Sequence, residues 1–373
     1  MKTQYNYSYT FFILLLGGIL GVAGCKDPNP QEDLSFDQTA LLNHLGNNII
    51  VPNYEDLEAQ MTRLRSAADD FENASTAPSL EALRTEFKAA YTSWMYCSTF
   101  EFGPASDRTL RAQVNTFPTD ADAIDANVLS GTYDLASATN IDAKGFPALD
   151  YLLFGLDGSE SNVLAAFNEA GRGENLLAYL QDLILDIQTL TRQVLQSWNE
   201  SYRASFVDNL GTNVGSSMGL FINQLNFDYE ILKKPRLGIP LGVQTLGTPL
   251  PESVEAYYSG FSNDLMLAHF DAISNLYFGT SRAGVNGYGI DDALDALEAQ
   301  YNGGALSAAI AAQITATRNG LADVPAPLSD AVVNNAAVVD AAYREVQKLV
   351  VLFKTDMTSS LGVLITYVDN DGD

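Results

Sequence analysis

Residues 332–357 of this chain read VVNNAAVVDAAYREVQKLVVLFKTDM. Val332, Ala336, Val339, Tyr343, Val346, Val350, Phe353 and Met357 follow one another at alternating spacings of four and three. An α-helix turns once in 3.6 residues, so this spacing keeps the apolar side chains on one stripe. A helix here packs along its neighbours at a shallow angle, as in a bundle.

The same period runs through the rest of the sequence. Leu80, Leu83, Phe87, Tyr91, Trp94 and Cys97 predict a helix over 79–100, capped by Ser79 and stopped at Glu101-Phe102-Gly103-Pro104. Leu176, Leu180, Leu183, Ile187, Leu190, Val194, Trp198 and Tyr202 predict one over 174–202. Further helices are expected over 37–51, over 54–71 after an interruption at Pro52, around 120–128, and over 220–233, 291–301 and 305–321. Val254, Tyr258, Phe261, Leu265, Ala272 and Leu276 extend the pattern to 252–278. Residues 234–251, rich in proline and glycine, read as the most loop-like region. Residues 363–368 alone read as extended, and one such run makes no sheet. The fold class is all-α: two helical bundles packed together, over 35–205 and 206–373.

The chain carries 46 acidic and 20 basic residues, a net charge of −26. Such a surface repels nucleic acid and anionic lipid headgroups and favours cations. Residues 1–24 read as a lipoprotein signal peptide: Lys2 supplies the positive start, and Phe11 to Leu20 is an apolar run too short to span a bilayer. Val22-Ala23-Gly24-Cys25 is a lipobox, so cleavage leaves Cys25 as the lipid attachment and residues 25–34 as a tether. The expected location is the cell envelope, anchored by lipid at the outer membrane. Cys97 is the other cysteine; its place three residues after Trp94 marks a buried, inert thiol.

One stretch stands apart, Lys144-Gly145-Phe146-Pro147-Ala148-Leu149-Asp150-Tyr151-Leu152-Leu153-Phe154-Gly155. Gly145 suits a tight loop, Pro147 a first helical position, and Phe146, Leu149 and Leu153 bury one face. Asp150 either gains from the helix N-terminal partial charge or coordinates something in a cleft beneath it. Gly145 to Asp150 resembles the signature hexapeptide of the imelysin-like family, Gly-x-His-x-x-Glu, which is followed by an aromatic, leucines and a glycine. Pro147 stands at the His position and Asp150 at the Glu position. Trp94 to Pro104 is similar to the family's tryptophan helix with its Phe-Gly-Pro turn, and 233–242 and 361–373 are similar as well. The resemblance implies two helical bundles, a site between them built around the motif, and a link to bacterial iron uptake and its envelope proteins.

The family has been called a peptidase family, yet the only histidines, His44 and His269, have no partner at zinc-binding spacing, and no Gly-x-Ser-x-Gly elbow occurs. His269 follows Leu265 by four on an apolar stripe and reads as packed. No catalytic residue is assigned; the expectation is a non-catalytic protein that binds a ligand or metal. Its ligand-binding residues are Glu101, Gly145, Pro147 and Asp150. For iron or another divalent or trivalent cation, the oxygen donors are Asp150 and Glu101, with acids such as Asp107 and Asp120 nearby. A cleft for another ligand, a hydrolase with an unrecognised site, and a structural accessory of an envelope transporter are the alternatives. Asp369 to Asp373 is too short for a calcium loop and reads as a solvated tail.

Overall fold

Nearly all regular structure is helical in the computed structural model, which describes residues 36–156 and 159–367. The named strands among these are the two-residue pair Gln300–Tyr301 and Gly304–Ala305, antiparallel; the first falls at the end of the stretch expected to be helix over 291–301, where the helix spans Ile290–Ala296. The signal peptide, Cys25, the tether and Asp369 to Asp373 lie outside the described residues. Among those described, no helix is long and apolar enough to cross a membrane.

Three long helices, Val51–Asn73, Ala77–Met95 and Arg172–Ser197, pack together through the predicted stripes; Leu83, Phe87, Tyr91, Leu180, Leu183, Ile187 and Val194 are fully buried. Ser262–Tyr277, Leu306–Ala322 and Ala336–Val351 form a second group, and Ser262–Tyr277 also lies against Ala77–Met95. The cap of the Ala77–Met95 helix is Thr76 rather than Ser79. Ser79 is the third helical residue, its backbone N–H donating to Thr76 Oγ1 while its own Oγ accepts from Thr76 N. A capping box satisfies two end donors at once, which is why Ser79 reads so readily as a helix start.

Several helices carry a wide π-turn, with hydrogen bonds five residues apart. These are Leu45–Ile50, Tyr151–Gly155, Trp198–Tyr202, Leu232–Gly238 and Leu352–Met357. They explain where the expectations fail. Proline interrupts an α-helix because it lacks an N–H and strikes the carbonyl four residues back. Pro52 instead follows the Leu45–Ile50 turn, where Val51 N–H reaches Gly46 O, and the chain runs on as helix without a break. Pro235 sits inside the Leu232–Gly238 turn, so the region read as loop stays helical as far as Leu241.

The terminal stripe is real but interrupted. Asn335, at φ −130° and ψ 31°, separates Leu328–Asn334 from Ala336–Val351. Val332, Val339, Val346, Phe353 and Met357 are fully buried, whereas Val350 is partly exposed and Leu349 is buried in its place. The expected helix over 252–278 begins only at Ser262. Residues 254–261 are irregular, with Ala256 at φ 51° and Gly260 at φ 64°. Their apolar spacing imitates a helix because Val254 and Leu265 are buried from two different conformations.

Candidate functional site

The motif begins where the sequence requires a glycine. Gly145 has φ 78°, and a Cβ there would lie 2.3 Å from the carbonyl oxygen of Val114. Lys144 just before it is buried and pairs with Asp186 on the Arg172–Ser197 helix at 2.8 Å. The short helix Gly145–Asp150 is buried throughout and continues into the Tyr151–Gly155 π-turn. Pro147 is therefore its third residue, not its first.

Asp150 is buried at the end of this helix, so the helix's N-terminal partial charge is not its partner. Its carboxylate instead accepts from two backbone amides of the irregular segment, Tyr258 N at 2.9 Å and Ser259 N at 3.2 Å. Burial pushes its pKa up to about 6, against the lowering effect of those hydrogen bonds and of Lys88. Pro147 and Asp150 both line a cleft of about 510 Å³, together with residues 117–119 and the Glu252 to Tyr258 segment. The two varied positions of the hexapeptide thus share one opening.

Behind that cleft lies an ionic network that the sequence reading missed. Arg236, delivered by the Leu232–Gly238 π-turn, forks onto Glu255, with Nε to Oε2 at 2.6 Å and Nη2 to Oε1 at 3.1 Å. Its Nη1 is 2.6 Å from His269 Nδ1, and His269 Nε2 is 2.6 Å from Asp228 Oδ2. A guanidinium only donates, so Nδ1 must accept, and Nε2 carries the ring's proton and donates it to Asp228. This hydrogen-bond logic makes the imidazole neutral. Burial and Arg236 likewise hold its pKa below the usual histidine value, against the pull of Asp228. Burial pushes Asp228 up, but His269, Arg111 and Arg236 outweigh it and keep the carboxylate ionised.

Ser98 and Thr99 donate to Asp228, at 3.1 and 2.6 Å. Asn115 Nδ2 donates to Glu255 at 2.8 Å, and the Tyr91 hydroxyl lies 2.7 Å from Asn115 Oδ1 and 3.2 Å from Glu255 Oε1. The Tyr91 ring stacks on Phe146 of the motif at 4.7 Å, which ties the network to the hexapeptide. Asp228 and His269 are wholly buried, and Arg236 and Glu255 are 3% and 2% exposed. The only hint in the sequence was Lys233-Lys234-Pro235-Arg236, a basic run in a strongly acidic chain.

Glu101 does not join Asp150. It accepts from Arg111 N at 3.0 Å and is not among the residues lining the cleft. Asp107 and Asp120 are exposed, and Asp120 caps the Ala121–Ser130 helix by accepting from Ala123 N. Among the described residues, no three His, Cys, Asp or Glu side chains cluster to hold a metal ion. At the motif itself, Pro147 has no donor side chain, and Asp150 belongs to no group of three metal-ligating side chains among the described residues. These residues do not fit an iron site of the kind the hexapeptide implies. Cys97 is buried, and burial raises its thiol pKa well above the usual value.

Solved structures share the fold over most of the chain. A crystal structure of an imelysin-like protein from Psychrobacter arcticum superposes with a TM-score of 0.69 at 18% identity, covering 88% of this chain and 97% of the other. A Parabacteroides distasonis protein likened to iron-regulated protein A precursors gives 0.73 at 17% identity, covering 91% and 97%. Iron-regulated protein A of Synechococcus elongatus is 29% identical over 106 residues, which span 28% of this chain and only 29% of that protein. The family model for imelysin matches residues 50–355, and with that span the chain belongs to the imelysin family.

Proposed function

We propose that this chain is a non-catalytic binding protein of the bacterial cell envelope, lipid-anchored through Cys25 at the outer membrane, which holds its ligand in the Asp150 cleft as part of iron uptake. The observation that carries this reading is the cleft of about 510 Å³, a size that suits a small organic molecule, beside a buried carboxylate and an ionic network that fixes its wall. The iron link draws on the relative named iron-regulated protein A, and the expected partners are envelope proteins of such a system. A bare iron ion at the motif is not favoured, since its donor set does not fit.

Hydrolysis is the weaker reading. His269 has Arg236 on one ring nitrogen and Asp228 on the other, and it is fully buried, so it has no free lone pair to activate a nucleophile. The test is complementation. A deletion strain should grow poorly under iron limitation, recover with the wild-type gene, and fail to recover with Glu252→Gln/Tyr257→Leu, two exposed cleft positions whose change leaves the core intact. Normal growth of the deletion strain would remove the role in iron uptake. Full rescue by the double variant would remove the cleft.

A further inference from the structure

We propose that the cleft receives an organic ammonium group, held between aromatic rings and carboxylates, rather than a metal ion. The inference rests on the cleft being the ligand site. Its walls carry three aromatic side chains, Phe117, Tyr257 and Tyr258, and two acids, Asp150 and Glu252, with no lysine or arginine among the lining residues. Tyr257 and Tyr258 meet nearly at right angles, their ring centroids 5.2 Å apart and their planes at 75°. The two rings pack edge to face, and an aromatic face left open toward the cleft attracts quaternary ammonium through its negative quadrupole.

The carboxylates supply the complementary charge. The Asp150 carboxylate accepts from the amides of Tyr258 and Ser259 and from the Ser259 side chain, so of its about four acceptor positions roughly one remains for a cationic ligand. Arg236, whose Cζ lies 5.9 Å from the centroid of the Phe117 ring, does not oppose this, since Glu255 neutralises it through two hydrogen bonds. The chain already lodges an ammonium in this way close by: Lys88 Nζ lies 5.4 Å from the Phe154 ring and 5.3 Å from the Phe261 ring, within the electrostatic reach of Asp150. A metal ion would need fixed oxygen or nitrogen donors around it, whereas an ammonium is satisfied by ring faces and diffuse negative charge.

The experiment is calorimetric titration of the full chain with choline and with dimethylbutanol, the neutral isostere in which carbon replaces the charged nitrogen. Wild-type protein should bind choline at least about tenfold more tightly than the neutral analogue, as a desolvated cation–π contact supplies. Tyr257→Leu and Glu252→Gln should each weaken choline several-fold while leaving the melting temperature unchanged. Equal affinity for the two compounds would overturn ammonium recognition and leave the cleft as a binding site. Choline binding untouched by both variants would place it elsewhere and overturn the proposal. Absence of binding by either compound would overturn it as well, and complementation with the same double variant then shows whether the cleft itself fails.

Discussion

Arg236→Met tests the buried network most directly. The substitution keeps much of the side-chain volume beside Met95, whose sulfur lies 3.3 Å from Arg236 Nη2, and removes one positive charge. In the native protein Arg236 and Arg111 balance Asp228 and Glu255, with His269 neutral. Arg236 meets three partners here, Glu255 through two hydrogen bonds, His269 and Met95. Removing one member of a buried ion pair costs about 3–5 kcal/mol, because the other charge stays behind. At roughly 2 °C per kcal/mol for a chain of this size, the melting temperature should fall by about 6–10 °C.

The pH dependence separates loss of charge from loss of packing. Wild-type His269 has a depressed pKa, so its contribution is present above the unfolded value near 6.5 and is lost as pH falls through the lower folded value. Without Arg236, Nδ1 loses its donor and a principal cause of the depression, and Glu255 loses its counter-charge. Both groups then bind protons more readily in the folded variant. The stability gap between wild type and variant should therefore narrow as the solution is acidified below about pH 6.5. Calorimetric melts of both proteins across that range decide it. A loss of less than about 2 °C, or a gap that stays flat or widens on acidification, would refute the assignment of charges.

Three other outcomes are expected. The Asp150 pKa of about 6 lies above the unfolded value near 4, so this group favours folding below that window and loses up to about 3 kcal/mol of relative stability as pH rises through it. Urea midpoints of Asp150→Asn should lack that decline between about pH 4 and pH 6, and an unchanged slope would assign it to another group. Phe353 is fully buried, its ring 5.3 Å from that of Tyr229 and 6.0 Å from that of Tyr277, so Phe353→Ala should cost about 3–5 kcal/mol by chemical denaturation. A cost below about 1 kcal/mol would contradict that packing. Cys25→Ser should move the protein out of the membrane fraction or leave it uncleaved, and unchanged fractionation would remove the lipid anchor.

The helices were legible because burial imposes their period, and nearly every predicted apolar stripe is found in the core. The candidate cleft was legible at Pro147 and Asp150, which line it, whereas Gly145 shapes the turn before them and is not among the lining residues. Glu101 looked like a partner because acids near a glycine turn are plausible ligands, but its carboxylate is engaged by the backbone of Arg111. The network escaped notice for two physical reasons. Its members come from positions 228, 236, 255 and 269, joined only by tertiary packing. Moreover, Glu255 lies where apolar spacing imitates a helix, and Arg236 lies where proline and glycine imitate a loop. A proline inside a π-turn is invisible to rules built on the α-helical ladder.

That π-turn makes the site sensitive to chain length in an unusual place. A π-turn is a helix carrying one surplus residue, so deleting one residue within Leu232–Gly238 would let the segment relax to ordinary α-geometry. Side chains beyond the deletion would keep nearly their present facing, because fewer residues at about 100° each sweep almost the same arc as the wider π-turn. A deletion upstream of Arg236 would thus leave it near the face that meets Glu255 and His269, but would set Pro235 in an ordinary helical ladder that its ring disrupts. Surface loops commonly absorb a gained or lost residue over evolutionary time. Here, in a stretch that looks like a loop, the surplus residue gives Pro235 room inside a helix that still delivers Arg236 to the ionic cluster, so the count of residues matters through the proline.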